Sequence, residues 1–516
     1  MGMSSRNLLQ LSRGASASGA TGDDGVKRVL LLYVGGTIGM KNTSTGWVPS
    51  KGLLAQLLAG NNKFHDPGHP EGTMPVSQWG KRVVWTLQER DVLLDSSDMD
   101  HTDWEWISKE ILANYDAYDG FVLIQGTDTL TYTSSALSFM LRYLRKTVVV
   151  TGSQVPMLIL PNDAESNLFA SICIAAHFEI PEVCVFFNGS LLRGNRTTKL
   201  DASGFDAFVS HNYPPLLTWG PVVDINWTCI RTAAEVEFLQ NPFSIVTNMC
   251  TDVAVLRLFP FISESFIRGA LQPPLRGCVL TTYGQGNISL RAKHIMQCLA
   301  EANSRGVLLV NVTQCNRGSV KASYATGRAL LGVGVQPGHD MTCEAAVCKL
   351  AFLLGRVDAG EMTLDQARKR ISVAQRGELT EAVPMRVFSF REGISAFVET
   401  MGKTVQSSVA AALYPVLLCS AAVQGDLASL ETLVPLAGEH VKDFEGRTPL
   451  HLAASKGHMD IVRYLVELAK VPLNLLDREN KTPLDHVPEE CPEVKEYLVA
   501  AGALPGQSQC MEMDCK

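Results

Sequence analysis

The chain has 516 residues, of which 46% are apolar and 19% charged, and a formal net charge of −7. That length allows two or three domains, the composition is that of a globular protein, and the charge excludes a basic nucleic-acid-binding body. No apolar run reaches the roughly 18 residues of a membrane-spanning helix; the longest, Val409–Val423, is interrupted by Pro415.

Residues 1–26 are rich in Ser, Gly and Ala and are expected to be a disordered tail. Arg6 and Arg13, with no acidic residue before Asp23, also match a mitochondrial transit pattern weakly. From Lys27 the pattern changes. Apolar strands are predicted at Arg28–Val34, Gly120–Ile124, Thr147–Thr151 and Glu182–Phe187, with helical spacing over Asp103–Tyr115, Tyr132–Leu144 and Asn162–His177. Such alternation predicts a doubly wound parallel sheet with right-handed crossovers.

Several of these strands run directly into polar turns. After Val29–Val34 come Gly35, Gly36 and Thr37. The apolar run Val92–Leu94 ends in Asp95-Ser96-Ser97-Asp98, and Gly120–Ile124 ends in Gln125-Gly126-Thr127-Asp128-Thr129. Open α/β sheets bind ligands at the carboxyl ends of their strands. A hydroxyl beside a carboxylate there is a candidate nucleophile with its orienting partner. The same residue types are also favoured helix N-caps, so capping is the competing reading at both turns.

The pair of threonine turns resembles the bacterial-type asparaginase family, in its cytosolic type I branch. That family carries T-G-G-T and H-G-T-D-T; here the turns read V-G-G-T and Q-G-T-D-T, with Thr37 and Thr127 90 residues apart. Val34 and Gln125 are the two departures, at positions that neighbour the reacting groups in the family. The resemblance runs from about Lys27 to about Arg356 and implies a two-domain fold, a doubly wound parallel sheet followed by a smaller α/β domain. It implies that Thr37 attacks the side-chain amide of L-asparagine. An ester forms, ammonia leaves, and water releases aspartate. Arg196-Thr197-Thr198-Lys199 matches the family's R-x-x-K segment. Lys199, in a closed site that disfavours its charge, would be the base for Thr127, oriented by Asp128. In an alternative within the family, Thr127 takes the more direct part in the second step. Asp95, Ser96 and Ser97, together with Thr127 and Asp128, would bind the substrate's amino and carboxylate groups. Gly152-Ser153-Gln154-Val155-Pro156 and Asn162-Asp163 are expected to shape the site or an interface, with no chemistry of their own.

The second α/β unit is predicted from strands near Val253–Leu258, Gly277–Thr282 and Val307–Val312, with helices at Ser263–Leu271, Arg291–Ala302 and Thr342–Leu354. Gly284-Gln285-Gly286-Asn287 is no dinucleotide fingerprint, because Ser289 stands where the third glycine belongs. Tyr324 lies in a family-like Y-A-T-G segment and is a candidate neighbour of the site, with no role assigned to it. His65 and His69 are separated by Pro67 and Gly68, which breaks a helical zinc pair. Neither metal nor cofactor is expected. The 13 cysteines are scattered without a C-x-x-C pair, as in a cytoplasmic protein with reduced thiols.

Glu361–Gln375 reads as the start of a charged helical linker. Beyond it Thr448-Pro449-Leu450-His451-Leu452-Ala453-Ala454 is the ankyrin signature. Gly425 and Gly457 mark copies 32 residues apart, Thr448 and Thr482 copies 34 apart. The organisation expected is a tail (1–26), two asparaginase domains (27–225 and 226–360), a helical linker (361–410), an α-helical ankyrin stack (411–505) and a second tail (506–516). A homo-oligomer is implied by the family, and a protein partner by the repeats, which otherwise serve only to stabilise the enzyme. Two other functions compete. Animal proteins of this architecture are also described as lysophospholipases, though no G-x-S-x-G elbow is present. A catalytically weak scaffold acting through the ankyrin repeats is the other.

Overall fold

The structure is a computed structural model that describes residues 25–44, 46–231, 241–289, 291, 293–321, 325–380, 408–437, 441–443 and 445–506. Tyr324, both tails up to residue 24 and from 507, and most of the linker lie outside these residues. The chain divides into two compact units, residues 1–381 and 382–516.

The first unit is built on an eight-stranded sheet. Its strands are β1 (Val26–Gly35), β2 (Arg82–Leu94), β3 (Gly120–Ile124), β4 (Thr147–Thr151), β5 (Val183–Phe187), β6 (Ser190–Arg193), β7 (Leu217–Thr218) and β8 (Asp224–Ile225). The spatial order is β8-β7-β6-β5-β4-β3-β1-β2. Strands β1 to β5 are parallel; β6, β7 and β8 continue the sheet antiparallel.

Seven consecutive residues of β1, Val29–Gly35, are buried. Leu30, Leu32 and Val34 face one apolar core; Val29, Leu31 and Tyr33 face the other. Continuous hydrophobicity is what burial on both faces of a parallel strand demands. Helix Leu130–Met140 fills the first core and Ala164–His177 the second. Truncating a core side chain such as Leu32 to Ala would cost about 2–5 kcal/mol.

A smaller parallel sheet, β9 (Val253–Arg257), β10 (Gly277–Thr282), β11 (Leu308–Thr313) and β12 (Val335–Pro337), follows in the same unit. Helix Cys343–Asp358 joins it to the first core, where Phe352 stacks on Phe139 at 5.7 Å between ring centroids.

Some elements differ from expectation. The helix predicted over Tyr132–Leu144 stops at Met140, because Leu141–Arg142 pairs as a strand with Ser244–Ile245. Strand β2 begins ten residues before its apolar end at Val92, at Arg82; as an edge strand with a half-exposed face it carries only short apolar runs separated by polar residues. The helix predicted over Glu361–Gln375 covers Leu364–Ile371 alone.

The second unit holds helices Ser408–Gln424, Leu427–Ala437, Pro449–Lys456, Met459–Arg463 and Pro492–Ala500 around its own apolar core. The repeat chemistry is visible twice. The backbone N–H of Thr448 donates to His451 Nδ1 at 3.1 Å, and that of Thr482 to Asp485 Oδ2 at 2.8 Å. Asp443 and Asp477 close equivalent turns ahead of them.

Candidate functional site

The order β2-β1-β3-β4 reverses the direction of chain progression between β1 and β3. In open α/β sheets such a switch point forms the ligand crevice outside the strands' carboxyl ends. Register brings the turns together there. Gly35 lies beside Leu94, so Asp95–Ser97 emerges next to Gly36 and Thr37. Gly36 donates its N–H to Leu94 O at 3.0 Å. Beyond β3, the N–H of Gln125 bonds Thr151 O at 3.0 Å, which ties the β3 turn to the end of β4.

The capping alternative is resolved locally. Helix Leu130–Met140 begins at Thr129 without a side-chain cap, so Thr127 and Asp128 do not cap it. The helix after Asp95–Asp98, His101–Asn114, takes its capping box from Asp100 and Asp103. Asp95 caps only its own short turn, accepting from Ser97 N at 3.0 Å and Ser97 Oγ at 2.8 Å. Buried Ser96 leans on the next turn: its Oγ accepts from Asp128 N at 3.3 Å, and its carbonyl accepts from Thr129 Oγ1 at 2.7 Å.

Lys199 reaches this place from the far side of the sheet. It ends a loop that follows β6 and pairs as a short ribbon with Phe208–Val209. Its ammonium donates to Thr127 Oγ1 at 2.8 Å and to Asp128 Oδ1 at 2.6 Å. The hydrogen bond from Lys199 holds the Asp128 carboxyl below the usual carboxylate range, against the opposing effect of burial. Thr127, Asp128 and Lys199 therefore form one bonded cluster. Thr37 is half-buried in a short turn that begins at Gly36, and this turn abuts the Thr127 turn through Gly126.

Gln154 joins the cluster. Thr127 Oγ1 donates to Gln154 Oε1 at 3.1 Å, and Gln154 Nε2 donates to Gly204 O at 3.1 Å. Asp163 fixes the Gln154 backbone by accepting its N–H at 2.9 Å and that of Val155 at 3.1 Å. The sequence signal for Gln154 is its place just past the carboxyl end of β4, the neighbour of β3. The two departures from the family pattern are both buried. Val34 belongs to the apolar core, and Gln125 donates to Gly126 O at 3.3 Å.

The strand ends of the smaller sheet open on a separate cavity of about 300 Å³, lined in part by Arg196, Thr198, Asp340 and Glu344. Among the described residues no group of three metal-ligating side chains occurs, and no helix is long and apolar enough to cross a membrane.

Fold and strand-end cluster together define a two-domain enzyme of the asparaginase type. Residues 28–231 match the family "Asparaginase, N-terminal", residues 252–366 "Glutaminase/Asparaginase C-terminal domain", and residues 418–508 "Ankyrin repeats (3 copies)". The chain is 39% identical over 455 residues to the "60 kDa lysophospholipase" of Mus musculus, covering 86% of this chain and 79% of that protein. It is 37% identical over 494 residues to the "L-asparaginase" of Dirofilaria immitis, covering 92% and 82%. Among solved structures, L-asparaginase I from Vibrio cholerae superposes with a TM-score of 0.60 at 38% identity, covering 69% of this chain and 99% of that one. The chain belongs to the asparaginase family of amidohydrolases and carries C-terminal ankyrin repeats.

Proposed function

We propose that the chain hydrolyses L-asparagine to L-aspartate and ammonia. The observation that carries this reading is the position of Lys199 Nζ, bonded to both Thr127 Oγ1 and Asp128 Oδ1. In the resting arrangement the ammonium donates both bonds and Thr127 donates to Gln154. With Lys199 deprotonated, rotation of the Thr127 hydroxyl turns its proton toward the amine, and a proton relay ending at Asp128 is complete. Thr37 attacks the amide carbon as its hydroxyl proton passes to the relay; the C–N bond then breaks, Thr37 is left esterified, and the nitrogen departs as ammonia with the proton the relay returns. Water then cleaves the ester to release aspartate and restore the Thr37 hydroxyl. Asp95 and Ser96–Ser97, with Thr127 and Asp128, take the substrate's charged amino and carboxylate groups.

A relative's name favours a second activity, cleavage of a lysophospholipid ester. A threonine ester intermediate serves that reaction equally well. The test is ammonia release from L-asparagine by purified protein beside a Thr127→Ala variant, with L-glutamine and a lysophospholipid as parallel substrates. Asparagine-dependent ammonia that vanishes in the variant is the expected result. A folded protein releasing none over a wide asparagine range refutes it, and fatty-acid release in the lipid arm alone would favour the second activity.

Three accompanying readings complete the proposal. The ankyrin unit supplies a surface for a protein partner; the α/β unit self-associates; and the eleven described cysteines, all free thiols, suit the reducing cytoplasm.

A further inference from the structure

Residues 372–380 read S-V-A-Q-R-G-E-L-T, the composition of a polar linker. They lie beyond residue 366, where the match to the C-terminal asparaginase domain stops. Yet Glu378 is fully buried. Its carboxylate accepts from the backbone N–H of Gln375 at 3.1 Å and of Arg376 at 2.7 Å, and it pairs with Lys349 Nζ at 2.5 Å. Lys349, 1% exposed, also donates to Ile371 O and Val373 O, both at 2.7 Å. A buried ion pair whose remaining lone pairs and protons are all bonded locks the segment that carries it. Residues 372–380 thus have one imposed shape.

The groups this segment presents end on the loop that carries Lys199. Arg376 O accepts from Asn195 Nδ2 at 3.0 Å, and Gly377 O from Arg196 Nε at 2.7 Å. Thr380 Oγ1 accepts from Arg196 Nη2 at 2.9 Å and donates to Asp340 Oδ2 at 2.7 Å. Arg196 Nη1 reaches the same Asp340 oxygen at 2.8 Å. Arg196 is 3% exposed, and its planar fork is shared among Gly377, Thr380 and Asp340, so its direction is set by all three. Lys199 follows three residues later, and Thr198 between them donates to Glu344 Oε1 at 2.7 Å.

The geometry points to Ser372–Thr380 as a positioning strap for Lys199. Through Arg196 the strap holds the register of Arg193–Lys199, and with it the 2.8 Å separation of Lys199 Nζ from Thr127 Oγ1. This rests on the role proposed for Lys199. The strap touches no reacting atom and acts through Arg196 and its neighbours Arg193 and Asn195. A misplacement of about 1 Å at a reacting group is enough to lower a rate about 10²-fold.

Full-length Thr380→Val, Thr380→Ser and Arg196→Lys are the variants to compare with wild type, by two readouts. In the first, Lys199 is acylated with an amine-reactive ester and its labelling rate followed by peptide mass spectrometry. Release of the loop should raise that rate several-fold in Thr380→Val and Arg196→Lys, while Thr380→Ser, which keeps the hydroxyl, labels like wild type. In the second, kcat for asparagine should fall about 10²-fold in the same two variants with KM nearly unchanged, and Thr380→Ser should restore it. Folded Thr380→Val and Arg196→Lys proteins with wild-type labelling and wild-type kcat overturn the proposal. If wild type releases no ammonia from asparagine, the asparaginase reading fails by itself, and the labelling rates alone decide for or against the strap.

Discussion

Gly36 and Gly126 meet backbone to backbone: a Cβ on Gly36 would fall 2.1 Å from Gly126 N. Gly36 also sits at φ 90 and ψ 178, a region essentially reserved for glycine. The contact seats the Thr37 turn directly against the Thr127 turn. Gly36→Ala is therefore expected to destabilise the α/β unit by about 2 kcal/mol or more, because neither backbone can yield without moving its strand. Urea unfolding of the variant checks this, and a wild-type midpoint would contradict the packing described.

Lys199→Met removes the only ammonium in the cluster while keeping the length of the side chain. The Asp128 side chain it leaves behind is 64% exposed, so water replaces the lost partner and folding changes little. The expected outcome is a drop in kcat of about 10²–10⁴-fold, the usual range for loss of a general base, with a thermal midpoint close to wild type. An ammonia assay paired with a melting curve measures both. A variant retaining more than about a tenth of wild-type kcat would remove Lys199 from the relay.

The parts of this architecture that could be read from sequence are those where local chemistry and tertiary position agree. Gly120–Ile124 and Thr147–Thr151 are apolar because they are buried on both faces, and their bounds are the observed ones. The Thr448 signature likewise folds as its own capping box. Lys199 was visible only through resemblance: its two-residue strand in a polar loop gives no local signal, and its partners lie more than 70 residues away. The strap escaped for the same reason. Arg376 and Glu378 look like solvated linker charges until Lys349 and the loop at Asn195 are brought to them by the fold. Leu141 and Arg142 continue a helical pattern in sequence, and their strand partner Ser244–Ile245 lies about a hundred residues downstream.

Gln154, expected from sequence only to shape the site or an interface, bonds Thr127 directly. It takes the hydroxyl proton of Thr127 while Lys199 donates to the same oxygen, so the two neighbours together fix the rotamer of Thr127. Gln154→Ala removes two side-chain hydrogen bonds, of which the one to Thr127 contributes about 1 kcal/mol. A kcat lowered about 5–10-fold follows, with asparagine KM nearly constant because Gln154 bonds Thr127 of the proposed relay. Steady-state kinetics over a range of asparagine concentrations separates the two parameters; a rise in KM alone would place Gln154 in substrate binding.

In the ankyrin unit Thr448 is buried, and its hydroxyl accepts the His451 N–H at the start of helix Pro449–Lys456. Thr448→Ala should cost about 1 kcal/mol of local stability. Hydrogen exchange over residues 449–456 reads this directly, with protection falling about fivefold, the kinetic equivalent of that loss. Unchanged protection would mean that packing against the neighbouring helices, and not the cap, holds this helix.

The pH dependence turns on Asp128. Its folded-state carboxyl lies below the usual carboxylate range, chiefly through the hydrogen bond from Lys199, with the lysine charge and Ser96 adding to the effect and burial opposing it. A depressed carboxyl contributes above its unfolded value of about 3.9 and loses that contribution as pH falls through the lower folded value. Asp128 is therefore a carboxylate throughout the neutral range and is protonated only below the usual carboxylate range. Because the Asp128 side chain is largely exposed, little stability is lost with it; what changes is the hold on Lys199. Asp128→Asn keeps an acceptor for Lys199 but removes the charge. In that variant kcat at neutral pH should fall, and the part of the acid limb of the kcat profile that reports this carboxyl should disappear. Profiles of wild type and variant measured down to the limit of folding decide it: an acid limb identical in both proteins would assign that ionisation to another group.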